Sequence, residues 1–172
     1  VSFLQMWEVS STGQLLDYEK YKPNKTFAPS DVFCQVITDG PANNPENPIV
    51  SAYKQVMYYA KKYLYITTPY LVIDDEIKEV LKQAVKGGVD VRLITPNIPD
   101  KKNVKLVTSY NYGELLRSGV RIFEYTPGFI HAKSILSDDK SAIIGTANFD
   151  YRSFYYLFEK LVFLYNTKSV KE

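Results

Sequence analysis

Residues 63–95 read YLYITTPYLVIDDEIKEVLKQAVKGGVDVRLIT, and their patterning decides the fold. Tyr63–Thr68 is strand-like and is stopped by Pro69-Tyr70. Asp74, Asp75 and Glu76 open a helix, where negative charge suits the N-terminus. Ile77, Val80, Leu81, Ala84 and Val85 recur at helical spacing, and Gly87-Gly88 closes the helix. Val89, Val91 and Leu93 then alternate as a strand does, up to Thr95. Strand, helix and strand in this order make a parallel crossover unit.

The pattern extends to both sides. Val32–Thr38 is a strand ended by Asp39-Gly40-Pro41, and Asn43-Asn44-Pro45-Glu46 is a loop. Asn47 caps a helix with Pro48 at its first position, and Ile49, Tyr53, Val56, Met57 and Ala60 share one face. A third helix covers Val104–Arg117, interrupted by Gly113, before a strand at Val120–Tyr125. Two strands follow, Phe129–Leu136 and Ser141–Gly145, joined by Ser137-Asp138-Asp139-Lys140, and a last strand covers Lys160–Tyr165. The expected fold class is α/β: a mixed, largely parallel sheet flanked by helices, with an antiparallel hairpin near the end. Gly88-Val89-Asp90-Val91-Arg92 and Gly119-Val120-Arg121-Ile122 echo each other, which we read as two helix-to-strand turns of one type.

Residues 1–31 read differently. Phe3, Leu4, Met6 and Trp7 suggest a piece of helix, followed by linker-like Ser10-Ser11-Thr12-Gly13 and Lys22-Pro23-Asn24-Lys25 and closed by Pro29. The expected organisation is an arm at 1–31, a domain at 32–166 and a tail at 167–172. The chain starts at Val1 rather than Met, which fits a piece of a longer protein.

Composition narrows the chemistry. The chain has 172 residues, 45% of them hydrophobic, with 21 basic against 19 acidic side chains. That is too apolar for disorder, and the near-neutral charge does not suggest a nucleic-acid binder. One histidine, His131, and one cysteine, Cys34, cannot make a Cys/His zinc site or an internal disulfide. No stretch approaches the roughly 20 apolar residues needed to span a bilayer.

His131 and Lys133 lie two apart on an expected strand and so share a face. The turn at 137–140 pairs positions that sum to about 278, which sets Gly145 beside Lys133 and Ala147-Asn148 beside His131. His131, Lys133, Thr146 and Asn148 should therefore converge at one end of the sheet, with Gly145 letting backbone approach a ligand. Imidazole serves as nucleophile or as general acid and base. Lysine and asparagine donate to non-bridging phosphate oxygens, and no metal or other cofactor is required. Asp138, in the turn, anchors either Lys133 or the hairpin. Singly these residues are ordinary: a satisfied histidine, a solvated lysine, turn residues. Together, five residue types at fixed spacing arise by chance on the order of once in a million start positions.

His131-Ala132-Lys133, four residues, Asp138, six residues and Gly145-Thr146-Ala147-Asn148 resembles the HKD motif of the phospholipase D superfamily. Phe149-Asp150-Tyr151-Arg152-Ser153-Phe154, Thr68-Pro69-Tyr70, Gly113-Glu114-Leu115-Leu116 and Gly128-Phe129-Ile130 are similar to its bacterial cardiolipin synthase branch. The resemblance covers about 32–166 and fits the second of two homologous halves. It implies the phospholipase D/nuclease-like fold and two motifs facing each other. One histidine would form a phosphohistidine while the other protonates the leaving alcohol, with Lys133, Asn148, Thr146 and Gly145 around the phosphate. It leaves His131 as either the nucleophile or the acid/base.

The same resemblance implies that Glu159 orients an imidazole, that of His131 or of the partner; read alone, it is a strand-edge surface glutamate. The implied reaction is phosphatidyl transfer between two phosphatidylglycerol molecules with release of glycerol. The implied setting is the cytoplasmic side of a bacterial cell membrane, with this piece itself soluble and inactive alone. The partner would be an N-terminal half or a second copy of the chain. Position 157 is Leu where such relatives often carry Asn or His.

Two other readings stand: a single-motif phosphodiesterase or nuclease active as a homodimer, and a non-catalytic lipid- or phosphate-binding domain. Tyr58, Tyr59, Tyr63, Tyr65, Tyr151, Tyr155 and Tyr156 either rim a lipid surface or pack with wet hydroxyls. Lys101, Lys102 and Lys105 make a small basic loop, solvated or drawn to anionic lipid.

Overall fold

A computed structural model describes residues 1–11, 16–26, 28, 32–41 and 46–171. The loop expectations at Thr12-Gly13, Pro29 and Asn43-Asn44-Pro45 lie outside the described residues. The chain divides into two compact units, 1–31 and 32–172. The first holds helix α1 (Ser2–Ser10) and a 3-10 turn, Tyr18–Tyr21. Glu8 ties the two together, accepting from the Leu16 N–H at 2.7 Å and from the Tyr18 hydroxyl.

The second unit runs β1 (Phe33–Asp39), α2 (Pro48–Tyr59), β2 (Tyr63–Thr67), β3 (Leu71–Val72), α3 (Asp75–Lys86), β4 (Asp90–Pro96), α4 (Lys102–Arg117) and β5 (Arg121–Tyr125). It continues with β6 (Ser134–Ser137), β7 (Ser141–Gly145), β8 (Phe149–Asp150), α5 (Tyr151–Tyr155), β9 (Glu159–Tyr165) and α6 (Lys168–Lys171). Seven strands form one sheet in the order β1-β9-β7-β6-β2-β4-β5. The sheet is mixed, as expected, but it is not largely parallel. Only β2–β4 and β4–β5 run parallel, while the other four pairings are antiparallel. The reason is that β6 and β9 both run backwards and are interleaved with β7 and β1. Among the described residues no helix is long and apolar enough to cross a membrane.

The helical stripes do what their spacing requires. Ile49, Tyr53, Val56, Met57 and Ala60 are all buried, as are Ile77, Val80 and Leu81. They pack with Leu64, Ile66, Leu93, Ile135, Ile143 and Leu161 of the sheet in one core. Each such side chain contributes about 1.5–3 kcal/mol of burial. Asp74 and Asn47 cap their helices, accepting from Ile77 N–H at 2.8 Å and Val50 N–H at 3.1 Å. The sequence echo is one turn used twice. Gly88 and Gly119 both sit at positive φ (87° and 98°), and Val89 N–H and Val120 N–H reach back to Ala84 O and Leu115 O at 3.0 and 3.1 Å. That is the Schellman closure of α3 and α4.

Two elements escape periodicity. The pairs Leu71–Val72 and Phe149–Asp150 form a separate two-stranded parallel sheet, and α5 follows it directly. The expected tail holds α6, with Val170 buried.

Candidate functional site

β1, β2, β4, β5 and β7 all end at one edge of the sheet, and β6 and β9 begin there. In open α/β sheets this carboxyl-end edge is where ligands sit. The hairpin register is as expected: Ser134 faces Ile144 and Ser137 faces Ser141. Gly145 N–H extends the ladder to Lys133 O at 3.2 Å. His131, Lys133, Thr146, Asn148 and Glu159 are thereby carried to the same edge.

The expected strand Phe129–Leu136 is shorter than its pattern. Residues 128–133 precede β6, because Thr146 N–H turns away to Lys160 O (2.9 Å) and leaves 129–132 without a ladder partner. His131 thus stands on a loop, exposed, its ring 5.6 Å from that of Phe129, which in turn lies 6.4 Å from Tyr70. Lys133 folds back and donates to His131 O at 2.7 Å. Burial lowers its pKa, opposed by the carboxylates of Glu159 and Asp150.

Asn148 is held from three sides. Its N–H donates to Ser153 Oγ at 3.0 Å, the next N–H donates to Thr68 Oγ1 at 3.0 Å, and Tyr53 donates to Ala147 O at 3.4 Å. Its Oδ1 is buried and has no hydrogen-bond partner among the described residues. Asp150 caps α5 by accepting from Ser153 N–H at 2.7 Å. Thr68 and Ser153 therefore position Asn148; the sequence placed both in motifs that carry the resemblance but gave neither a role. The Asp150-to-Ser153 spacing is that of an N-cap, which is the signal that was available.

Glu159 is buried and accepts from the Thr146 hydroxyl. Its reading as a surface glutamate is corrected: the β7–β9 end closes over it. No hydrogen bond joins it to the His131 ring among the described residues. Gly145 is required by its neighbour in the sheet. A Cβ there would meet Lys160 O at 2.3 Å and the Leu161 Cα at 2.8 Å, so the close neighbour is strand β9.

Asp138 is not brought to this cluster. It lies beyond β6, at the opposite edge, and of the two expected anchoring roles it takes the hairpin. Its carboxylate accepts the N–H groups of Lys61, Lys62 and Tyr63 at 2.7, 2.8 and 2.9 Å. Burial raises its pKa, but the N–H groups of Tyr63, Lys62 and Lys61, with Lys140, outweigh that and hold the carboxyl below its ordinary value. A depressed pKa stabilises the fold above the unfolded value of about 3.9, and the gain is lost as pH falls through the folded one. Asp138→Asn should therefore cost about 1–2 kcal/mol at pH 7, given partial exposure. Urea midpoints of variant and parent should converge as the pH falls well below 4; a gap equally wide there would refute the clamp.

The expected basic loop is instead the start of α4, with Lys101 at its N-cap and Lys102 and Lys105 in the helix; Lys105 is engaged by Glu124 and by Pro96 O at 2.8 Å, whereas Lys101 lies 5.7 Å over the Tyr70 ring. A groove of about 480 Å³ opens beside Asn148. A larger one, about 590 Å³, lies at the Asp138 edge, and none of His131, Lys133, Asn148 and Glu159 lines it. No cluster of three His, Cys, Asp or Glu side chains suited to a metal ion is present among the described residues.

A mixed sheet with this hairpin at its centre is a fold of the phospholipase D class. The crystal structure of Nuc, a phospholipase D family member from Salmonella typhimurium, matches 82% of this chain and 88% of its own with a TM-score of 0.67, at 19% identity. The cardiolipin synthase, PLD-like domain family matches residues 53–172. The chain belongs to that family. It is 37% identical over 177 residues to a cardiolipin synthase of Clostridium perfringens, covering 99% of this chain and 37% of that protein. It is 39% identical over 168 residues to one from Halalkalibacterium halodurans, covering 98% and 33%. The chain thus spans about a third of the length of these curated relatives.

Proposed function

We propose that this segment supplies one half-site of a cardiolipin synthase-type phosphatidyltransferase. The observation that carries the reading is the convergence of His131, Lys133 and Asn148 at one sheet edge in a member of this family. In the reaction, one imidazole nitrogen attacks the phosphorus of phosphatidylglycerol. The phosphorus–oxygen bond to the head-group glycerol breaks, and that oxygen takes a proton from the second imidazole. A hydroxyl of another phosphatidylglycerol then attacks the phosphohistidine, returns a proton to the second imidazole and frees the first. His131 is one of this pair. The other comes from the remainder of the longer protein or, in the alternative arrangement, from a second copy. Two easier displacements replace one difficult one.

Lys133 and Asn148 hold the phosphate. Lys133→Ala should lower kcat/KM by about 10²-fold or more, with the fold unchanged, because a charged donor to the developing charge is lost. Asp138 serves the hairpin, and Glu159 acts through Thr146. Residues 1–31 are an arm arriving from the preceding half, 32–166 the half-site domain and 167–172 its tail. The working place is the cytoplasmic face of a bacterial cell membrane. The test is conversion of phosphatidylglycerol to cardiolipin and glycerol by the longer chain and by its His131→Ala variant. An unimpaired variant would refute the reading in favour of a non-catalytic domain. Metal-independent cleavage of a model phosphodiester by a symmetric dimer of this segment would favour the single-motif alternative.

A further inference from the structure

The groove beside Asn148 combines apolar and polar lining. Val72 of β3, Val104 and Val107 of α4 and Leu157 beyond α5 give it apolar wall, and Asn103 and Tyr151 line it too. Lys101 and Arg152 also line it, and neither forms an ion pair among the described residues. Asp150 is also present, its Oδ1 held by Ser153 N–H. The volume falls within the range of ordinary ligand pockets. The groove adjoins the motif. Asn148 lines it directly, and Tyr70, another lining residue, leads through Phe129 to His131. Away from the motif, Val107 and Tyr110 lie one helical turn apart on α4 and are 44% and 83% exposed. Apolar surface therefore continues outward from the groove.

We propose that this groove receives the diacylglycerol leg of the phosphatidyl group, with Lys101 and Arg152 attracting the phosphodiester into the groove that Asn148 also lines. This rests on the reading of the site as phosphatidyl transfer. Two unpaired cations complement one phosphodiester charge, and apolar walls complement acyl chain. The occupant is a lipid rather than a protein segment because apolar walls, two cations and Asn148 of the candidate site line one groove. Leu157 is then part of the acyl wall.

The experiment uses the longer chain with 1-tetradecanoyl lysophosphatidylglycerol as probe, read by hydrogen exchange. The lysolipid should slow exchange of the amides at 104–107 and 151–157. The neutral 1-tetradecanoylglycerol should need about tenfold more to do so. Val104→Trp, which fills the groove, and Leu157→Asp, which puts a carboxylate on its wall, should each abolish the protection. Both should raise KM for long-chain phosphatidylglycerol about tenfold with kcat within twofold. His131→Ala should keep the protection and lose transfer. The proposal falls if both walls stay unprotected, if both variants keep the protection, or if the neutral lipid binds as well. It also falls if these amides are already fully protected without lipid, as a covering protein segment would make them. Protection without any transfer by the unsubstituted protein would instead sink the functional reading and leave the groove standing.

Discussion

Replacing His131 by alanine in the longer chain should cut cardiolipin formation by about 10⁴-fold, through kcat rather than KM. Whichever imidazole of the pair His131 is, no other group in this segment can substitute, since it is the only histidine. As nucleophile, its loss removes the covalent route altogether. As acid and base, it removes proton transfer at both displacements, each worth about 10²–10⁴-fold. The ring is exposed and its neighbour is the Phe129 ring. Thermal unfolding should therefore stay within about 0.5 kcal/mol of the parent. Loss of activity with unchanged unfolding isolates the chemistry. Retained activity would return the domain to a binding role.

Gly145→Ala should be among the most damaging single substitutions in the domain, at about 3 kcal/mol. The new Cβ would lie 2.3 Å from Lys160 O and 2.8 Å from the Leu161 Cα, and both are backbone of β9. A side chain could rotate away, but a paired strand cannot without breaking its ladder. The β7–β9 separation would also shift Thr146, whose N–H and hydroxyl both engage β9. Gly88→Ala is the comparison. A Cβ there meets nothing within 4 Å, and the cost is that of a positive φ, about 1 kcal/mol. Urea midpoints should rank the two variants in that order. An alanine at 145 no worse than one at 88 would overturn the account of close packing.

Much of this molecule was legible in the chain because its cues are local. The stripes of α2 and α3 state their period within a dozen residues. The turn at 137–140 sets the hairpin register, and the register alone places Lys133 beside Gly145. Five residue types in that hairpin carried the resemblance to the family to which the chain belongs. What stayed hidden depends on which strand lies next to which. Two-residue strands such as β3 and β8 carry no periodicity, so neither their pairing nor the groove they border could be read. The sequence left Asp138 with two anchoring roles, and only the approach of the α2–β2 connection decided for the hairpin. Glu159 looked like an edge residue until β9 was placed between β1 and β7, which buries it and gives it the Thr146 hydroxyl. Gly145 was read for its backbone, and only the placement of the same strand showed which neighbour demands a glycine there. Residue types, spacing and turns are written within a few positions. The neighbours of a side chain across a sheet come from segments far along the chain, and only packing selects among them.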